Sequence, residues 1–239
     1  MAAPSRFKNG VTNVGIAANL NQYGRPDPSI WHTYFNDFDA FTSGVTTEWT
    51  ETVIGTGTAL TTGANDGGWL VLLNSAADND GYQLQKLPNS FLLTAGKRAI
   101  FKAKFKISDA TQSDLLVGLC VADTTLLGAT GGDGVTDGIF FQKDDGSAVL
   151  TAYCQKNTTT GQTSVATTTL VTDTFVTVGW YYDGVSAVEI YLNDAKVAAL
   201  DGTSTYLPDV ILTPSMALLN GEAVAKSLSV DFLFAAIER

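Results

Sequence analysis

The sequence predicts an all-β protein: an antiparallel jelly-roll β-sandwich with an extended N-terminal arm. Two stretches and one absence carry the prediction. In residues 175–200, Val176, Val178, Trp180 and Tyr182 alternate with Thr177, Gly179 and Tyr181. Val188, Ile190 and Leu192 then alternate with Glu189, Tyr191 and Asn193. Asp183-Gly184 and Asn193-Asp194 separate the runs, the pattern of strands joined by tight turns. In residues 98–107, Phe101, Ala103, Phe105 and Ile107 face one way and Lys102, Lys104 and Lys106 the other, the signature of a half-buried strand. No segment shows helical periodicity beyond about two turns, and no repeat of 20–50 residues is present.

The elements follow in order. Residues 1–32 are rich in Asn, Gly and Pro, and Pro26 and Pro28 resist both helix and central strand. This segment reads as an arm, with a sandwich domain over 33–239. TYFNDFDAF supplies a first aromatic strand, and Trp49 and Val53 belong to a second. GWLVLLN (68–74), GYQLQKL (81–87) and the lysine-bearing strand come next. Those lysines read as edge protection, with a docking stripe for an acidic partner as the functional alternative. DLLVGLCVAD (114–123) is apolar on both faces, as a central strand is. The Gly-rich stretch 128–138 reads as a rim loop before IFFQKD, and Asp145-Gly146 turns the chain into AVLTAYCQK. A Thr-rich hairpin centres on Gly161. Beyond the 175–200 region come LPDVILTP, MALLN and a last strand. In that strand Leu228, Val230, Phe232 and Phe234 are expected inside, with Ser229 and Asp231 outside.

The run from Val176 to Val197 resembles the central hairpin of laminin-G and concanavalin A-like sandwiches. Asn193-Asp194 stands where that family carries Asn-Gly, so the turn is expected to be longer or differently shaped. The opening PDPSIWHTYFNDFDAFT resembles the start of virion structural proteins of tailed bacteriophages. That resemblance implies a capsid decoration (cement) protein: a homotrimer on the outer surface of the head, bound to the major capsid protein and synthesised in the host cytoplasm. The alternative it leaves open is a lectin-like receptor-recognition module of a tail or fibre, binding a glycan through exposed Trp69, Tyr181 and Tyr191.

Composition narrows the partners. Of 239 residues 45% are apolar, enough for a sizeable core, and only 16% are charged. The net charge of −10 repels phosphate backbones and anionic membranes, so neither nucleic acid nor membrane is an expected partner. The first 25 residues carry Arg6, Lys8 and Arg25 and no acid, which leaves 24 acids against 11 bases for the body. A basic arm on an acidic body suggests docking on a partner. The candidate partner-binding residues are therefore Arg6, Phe7, Lys8, Ile16, Leu20, Tyr23, Arg25 and Trp31. Fully extended, such an arm reaches about 100 Å.

The chemistry-bearing inventory is thin. His32 is the one histidine, read as packing, and no GxSxG accompanies it. Asp37-Phe38-Asp39 lacks the third same-face carboxylate of sandwich-fold glycosidases, and Glu48 and Glu51 have the wrong spacing, so no enzyme activity and no catalytic residues are expected. No metal ligands or cofactor are expected either. A rim-loop Ca²⁺ is the one ion whose chemistry suits Asp78-Asn79-Asp80-Gly81 or Asp133 with Asp137, although Asp and Asn in turns ordinarily serve turn geometry. Cys120 and Cys154 read as reduced core thiols, bridged only if their strands are neighbours. MAAPSRFKNG lacks the apolar core of a signal peptide.

Overall fold

The computed structural model describes residues 27–43, 48–56, 59–63, 67–128, 134–157 and 161–239. Among them sixteen strands form two antiparallel sheets, with no helix. The strands are β1 (Trp31–Asn36), β2 (Trp49–Ile54), β3 (Ala59–Gly63), β4 (Trp69–Leu73), β5 (Gly81–Lys86), β6 (Phe91–Leu92), β7 (Ala99–Ile107) and β8 (Ser113–Val121). There follow β9 (Gly138–Lys143), β10 (Val149–Lys156), β11 (Gly161–Thr169), β12 (Val176–Tyr182), β13 (Ala187–Leu192), β14 (Ala195–Asp201), β15 (Ile211–Asn220) and β16 (Ser227–Glu238). The first sheet runs β14-β13-β12-β7-β16-β4-β3, with β1 also paired to β16. The second runs β11-β10-β9-β8-β15-β5-β2, with β6 also paired to β15.

Between the sheets lies the main core, built from the inward parity of each strand. Phe101 stacks on Trp180 at 5.9 Å within the first sheet. The Trp180 indole N–H donates across the core to the Ile139 carbonyl of the second sheet (3.2 Å), so a large buried ring leaves no donor unmet. His32 also bridges the layers: its ring lies 4.8 Å from Phe91, and Nε2 is 3.1 Å from the Ser90 hydroxyl. Burial first, then the charges of Arg239 and Lys86, lowers its pKa. The histidine is a packing residue, as its solitary place in the sequence suggested.

Several sequence expectations change here. The strand β7 is central, flanked by β12 and β16, so Lys102, Lys104 and Lys106 protect no edge. Sequence parity gave their direction but not their neighbours. Phe232 and Phe234, expected inside, point outward. Val230 pairs with Phe105 and Phe232 with Lys104, so Asp231 is an inserted residue of a β-bulge that reverses the parity. Leu233, Ala235 and Ile237 complete the core in their place.

LPDVILTP and MALLN are parts of one strand. Pro214 is tolerated in β15 because it falls between the pairings to β6 (Ile211, Leu212) and to β5 (from Ser215), where no strand asks for its missing N–H. The Asn193-Asp194 turn is neither long nor irregular. Leu192 pairs with Ala195, and both turn residues have positive φ (48° and 67°), the geometry of a two-residue type I′ hairpin. Asp here adopts the left-handed conformation that Gly takes elsewhere.

Cys120 and Cys154 are free and buried on opposite faces of the second sheet. Cys154 joins the main core. Cys120 belongs to a small outer core in which Leu126 and Leu127, just before the Gly-rich stretch, and Val135 within it pack on Leu116, Phe140 and Leu219. That cover explains why the strand containing Cys120 is apolar on both faces.

Candidate functional site

The outward parity of β7 places three lysines in a row on the open face of the first sheet. Neighbouring strands and turns supply each with an aromatic ring and a carboxylate. Lys102 lies 5.8 Å from the Phe232 ring and pairs with Asp194 of the type I′ turn. Lys104 lies 5.2 Å from the Phe175 ring and pairs with Asp231, the bulge residue, at 2.6 Å. Lys106 lies 5.2 Å from Trp69 and 5.6 Å from Phe175, with Asp173 at 3.7 Å. Trp69 and Phe175 meet at 5.5 Å, and Phe35, 58% exposed, extends the row against Phe232 at 6.2 Å. The bulge builds this face twice over, by turning Phe232 outward and by presenting Asp231 to Lys104.

At the upper end of the same face, Trp31, Ile100, Tyr181, Tyr191 and Ala236 form a small closed cluster. Arg98 covers Trp31 at 5.6 Å and is paired with Glu238. That pairing raises the Arg98 pKa and lowers that of Glu238. Trp31, expected on the arm as a partner contact, is thus buried in strand β1 of its own sheet. Tyr181 and Tyr191, expected as exposed sugar platforms, are 6% and 1% exposed. Across the β12–β13 pair, Tyr181 opposes Glu189 and Tyr191 opposes Gly179. Trp69 alone of the three suggested platforms stays part-exposed. Arg6, Phe7, Lys8, Ile16, Leu20, Tyr23 and Arg25 lie outside the described residues.

Two recesses open elsewhere. A groove of about 420 Å³ on the second sheet is lined by Thr50, Thr52, Gln85, Asn89, Asp123 and Thr124 among others, and the buried Asn89 Oδ1 has no hydrogen-bond partner. Gln85 shapes its floor by accepting from the Asp123 amide (2.9 Å) and donating to the Val121 carbonyl (3.0 Å). A larger cavity, about 680 Å³, lies at one end of the sandwich. The loop after β6 lines it with Leu93 and Thr94, the β12–β13 turn with Val185, and the loop after β14 with Ser204 and Leu207. Tyr182, Lys156, Pro208 and Asp209 also line it. Asp183 fixes the turn, its Oδ1 accepting from the amides of Val185, Ser186 and Ala187 at 2.7–3.1 Å. Neither recess had a local signal in the sequence, because each joins loops far apart in the chain.

Several of the carboxylates noted in the sequence have structural tasks. Glu48 accepts from the Tyr34 hydroxyl at 2.8 Å, and Glu51 from the hydroxyls of Tyr82 and Ser43. Asp37 and Asp39 flank Phe38, which is fully buried on a turn with φ of 55°. Of the calcium candidates, Asp80 accepts from the Ser75 hydroxyl, Asp137 caps the Asn157 amide, and Asp133 lies outside the described residues. Among the described residues no three His, Cys, Asp or Glu side chains converge where they could hold a metal ion.

No family model and no curated protein matches the chain. Its likenesses are to solved structures. An endo-1,3-beta-glucanase from Streptomyces sioyaensis superposes with a TM-score of 0.62 at 12% identity, covering 90% of this chain and 99% of that one. The carbohydrate recognition domain of Emp47p gives 0.57 at 12%, over 90% and 99%. Peanut lectin gives 0.56 at 11%, over 87% and 97%. The fold is the concanavalin A/lectin-like β-sandwich. At such identities the likeness establishes architecture and not activity, since this fold hosts many unrelated sites.

Proposed function

We propose that the chain is a non-enzymatic virion surface protein, a capsid decoration protein that lies on the outer surface of a phage head as a homotrimer and contacts the major capsid protein. The lysine–aromatic face of the first sheet is the contact surface of its body. The observation that carries this reading is that the face neutralises itself. Lys102, Lys104 and Lys106 each have their own carboxylate, so a protein surface can cover them without stranding an unpaired charge. Exposed Phe35 and the part-exposed rings of Trp69, Phe175 and Phe232 supply the aromatic anchors that interfaces favour. The same neutrality argues against an acidic partner as the docking target. Quantitative mass spectrometry of purified particles tests the reading: copy numbers on the scale of the major capsid protein are expected, and absence from the head refutes it.

A second reading, a glycan-binding module of a tail or fibre, is favoured by the two recesses on a lectin-like fold. Binding of the intact protein to a glycan array tests it, and a blank array refutes it.

A further inference from the structure

His32, the one histidine of the chain, sits on a strand with little else to hold it. Among the described residues β1 pairs only with β16, so side chains must fasten it to the second sheet. Two do so. Tyr34 packs on Trp49 at 6.2 Å and donates to Glu48. His32 packs on Phe91 and meets the Ser90 hydroxyl, and the Ser90 amide is itself anchored on the Leu212 carbonyl (3.2 Å). The charges that act on the His32 ring are both positive, and both are held in place. Lys86, at the end of β5, has its ammonium 4.7 Å from the Tyr34 ring and donates to the Leu87 carbonyl at 3.0 Å. Arg239, after β16, is tied to the start of β1 by its amide, which donates to the Ile30 carbonyl at 2.9 Å. The carboxylates of this corner are engaged elsewhere: Glu48 accepts from Tyr34, and Glu238 pairs with Arg98.

We propose that His32 is an acid-sensitive latch: protonation of its ring loosens β1 from the second sheet. A protonated ring would be a third cation beside Lys86 and Arg239, part-buried, with neither neighbour free to swing away. The Ser90 hydroxyl can serve the neutral or the charged ring, so the latch turns on charge and not on that hydrogen bond. Burial and the two cations hold the His32 pKa below its ordinary 6.5. A histidine lowered in this way contributes fully to folding above its unfolded value, and the contribution is lost as pH falls below it. Histidine is also the side chain whose ordinary titration lies between about pH 5 and pH 8. β1 carries Phe35 onto the lysine–aromatic face. Acid should therefore weaken docking as well, an effect that rests on the docking reading above, whereas the latch itself does not.

Amide hydrogen exchange of the full-length protein at about pH 7.5 and about pH 5, expressed as protection relative to free amides, tests the latch. Residues 31–36 are expected to lose protection at the lower pH while the central strand β7 keeps its own. His32→Gln, whose amide still reaches a hydroxyl but carries no charge, should abolish the loss. Lys86→Gln, which removes one cation, should reduce it and should raise the pKa read by NMR from the single histidine ring. No loss of protection in wild type, or a loss that both variants keep, overturns the latch. So does a His32 pKa at or above its ordinary value. Binding to undecorated heads at the same two pH values tests the link to docking. Weaker binding at the lower pH in wild type but not in His32→Gln is expected. Equal binding at both, with the latch present, overturns that link alone. No binding at either refutes the docking reading and leaves the latch standing.

Discussion

Val230 and Phe232 face opposite sides of their sheet although they stand two positions apart on one strand. Val230 lies in the core opposite Phe105, and Phe232 lies outside opposite Lys104. The inserted Asp231 reverses the alternation and gives its carboxylate to Lys104. One bulge therefore divides β16 into a half that follows the sequence pattern and a half that inverts it.

The inversion predicts an unusual ranking of substitutions. Leu233→Ala removes a fully buried core side chain and should cost about 2–5 kcal/mol. Phe232→Ala, at a part-exposed outer position, should cost about 1 kcal/mol or less despite the larger side chain. Urea denaturation of the two variants checks the order, and a costlier Phe232→Ala would place that ring inside.

Both thiols should be inert in the native protein. Burial raises the Cys154 pKa to about 12 and that of Cys120 further. A thiol reagent at pH 8 should therefore modify neither until denaturant is added. The two sulfurs lie on opposite faces of one sheet, so mild oxidation should produce no intramolecular disulfide.

Acid should weaken the corner where Lys226 meets Asp109 and Glu222. Burial works to raise the Asp109 pKa. The hydrogen bond from Lys226 and the amides of Gln112 and Thr111 overcome it and hold the group at about 2, against an ordinary 3.8. A carboxylate with a depressed folded pKa contributes fully above its unfolded value, and its contribution disappears as pH falls through the folded one. Wild type should therefore lose more thermal stability than Asp109→Asn between about pH 4 and pH 2. Parallel melting curves over that window would contradict the assignment.

The Tyr34–Glu48 and Tyr82–Glu51 contacts tie β1 and β5 to the segment around β2. Glu51→Gln should keep the fold, because an amide oxygen still accepts from Tyr82. Glu51→Leu should lower the melting temperature by a few degrees, as expected for about 1 kcal/mol. Equal melting of the two variants would deny the hydrogen bond a role.

What could be read from the chain was local. The parity of β7, the turns at Asp183-Gly184 and Asn193-Asp194, and the solitary His32 follow from residues within a few positions of one another. The choice of sheet neighbours is not local, so Lys102, Lys104 and Lys106 suggested an edge although β12 and β16 flank them. Trp31 was assigned to the arm because Pro26 and Pro28 precede it, but its pairing partner, Glu238, stands at the far end of the chain. The Asp231 bulge left no mark in a run whose apolar residues are large on both faces. The cavity joins Thr94, Tyr182 and Ser204, which no spacing rule connects.

The central claim is that the lysine–aromatic face docks on a protein surface, and binding to undecorated heads tests it most directly. Phe35→Glu and Lys104→Glu change part-exposed side chains outside the core, so the double variant should fold. It would bring unpaired acid into the contact and leave Asp231 without its cation. Wild type is predicted to occupy the heads saturably and the double variant to lose at least about tenfold in affinity, the scale of one stranded charge at an interface. Equal occupancy by the two proteins, both folded, would contradict the account.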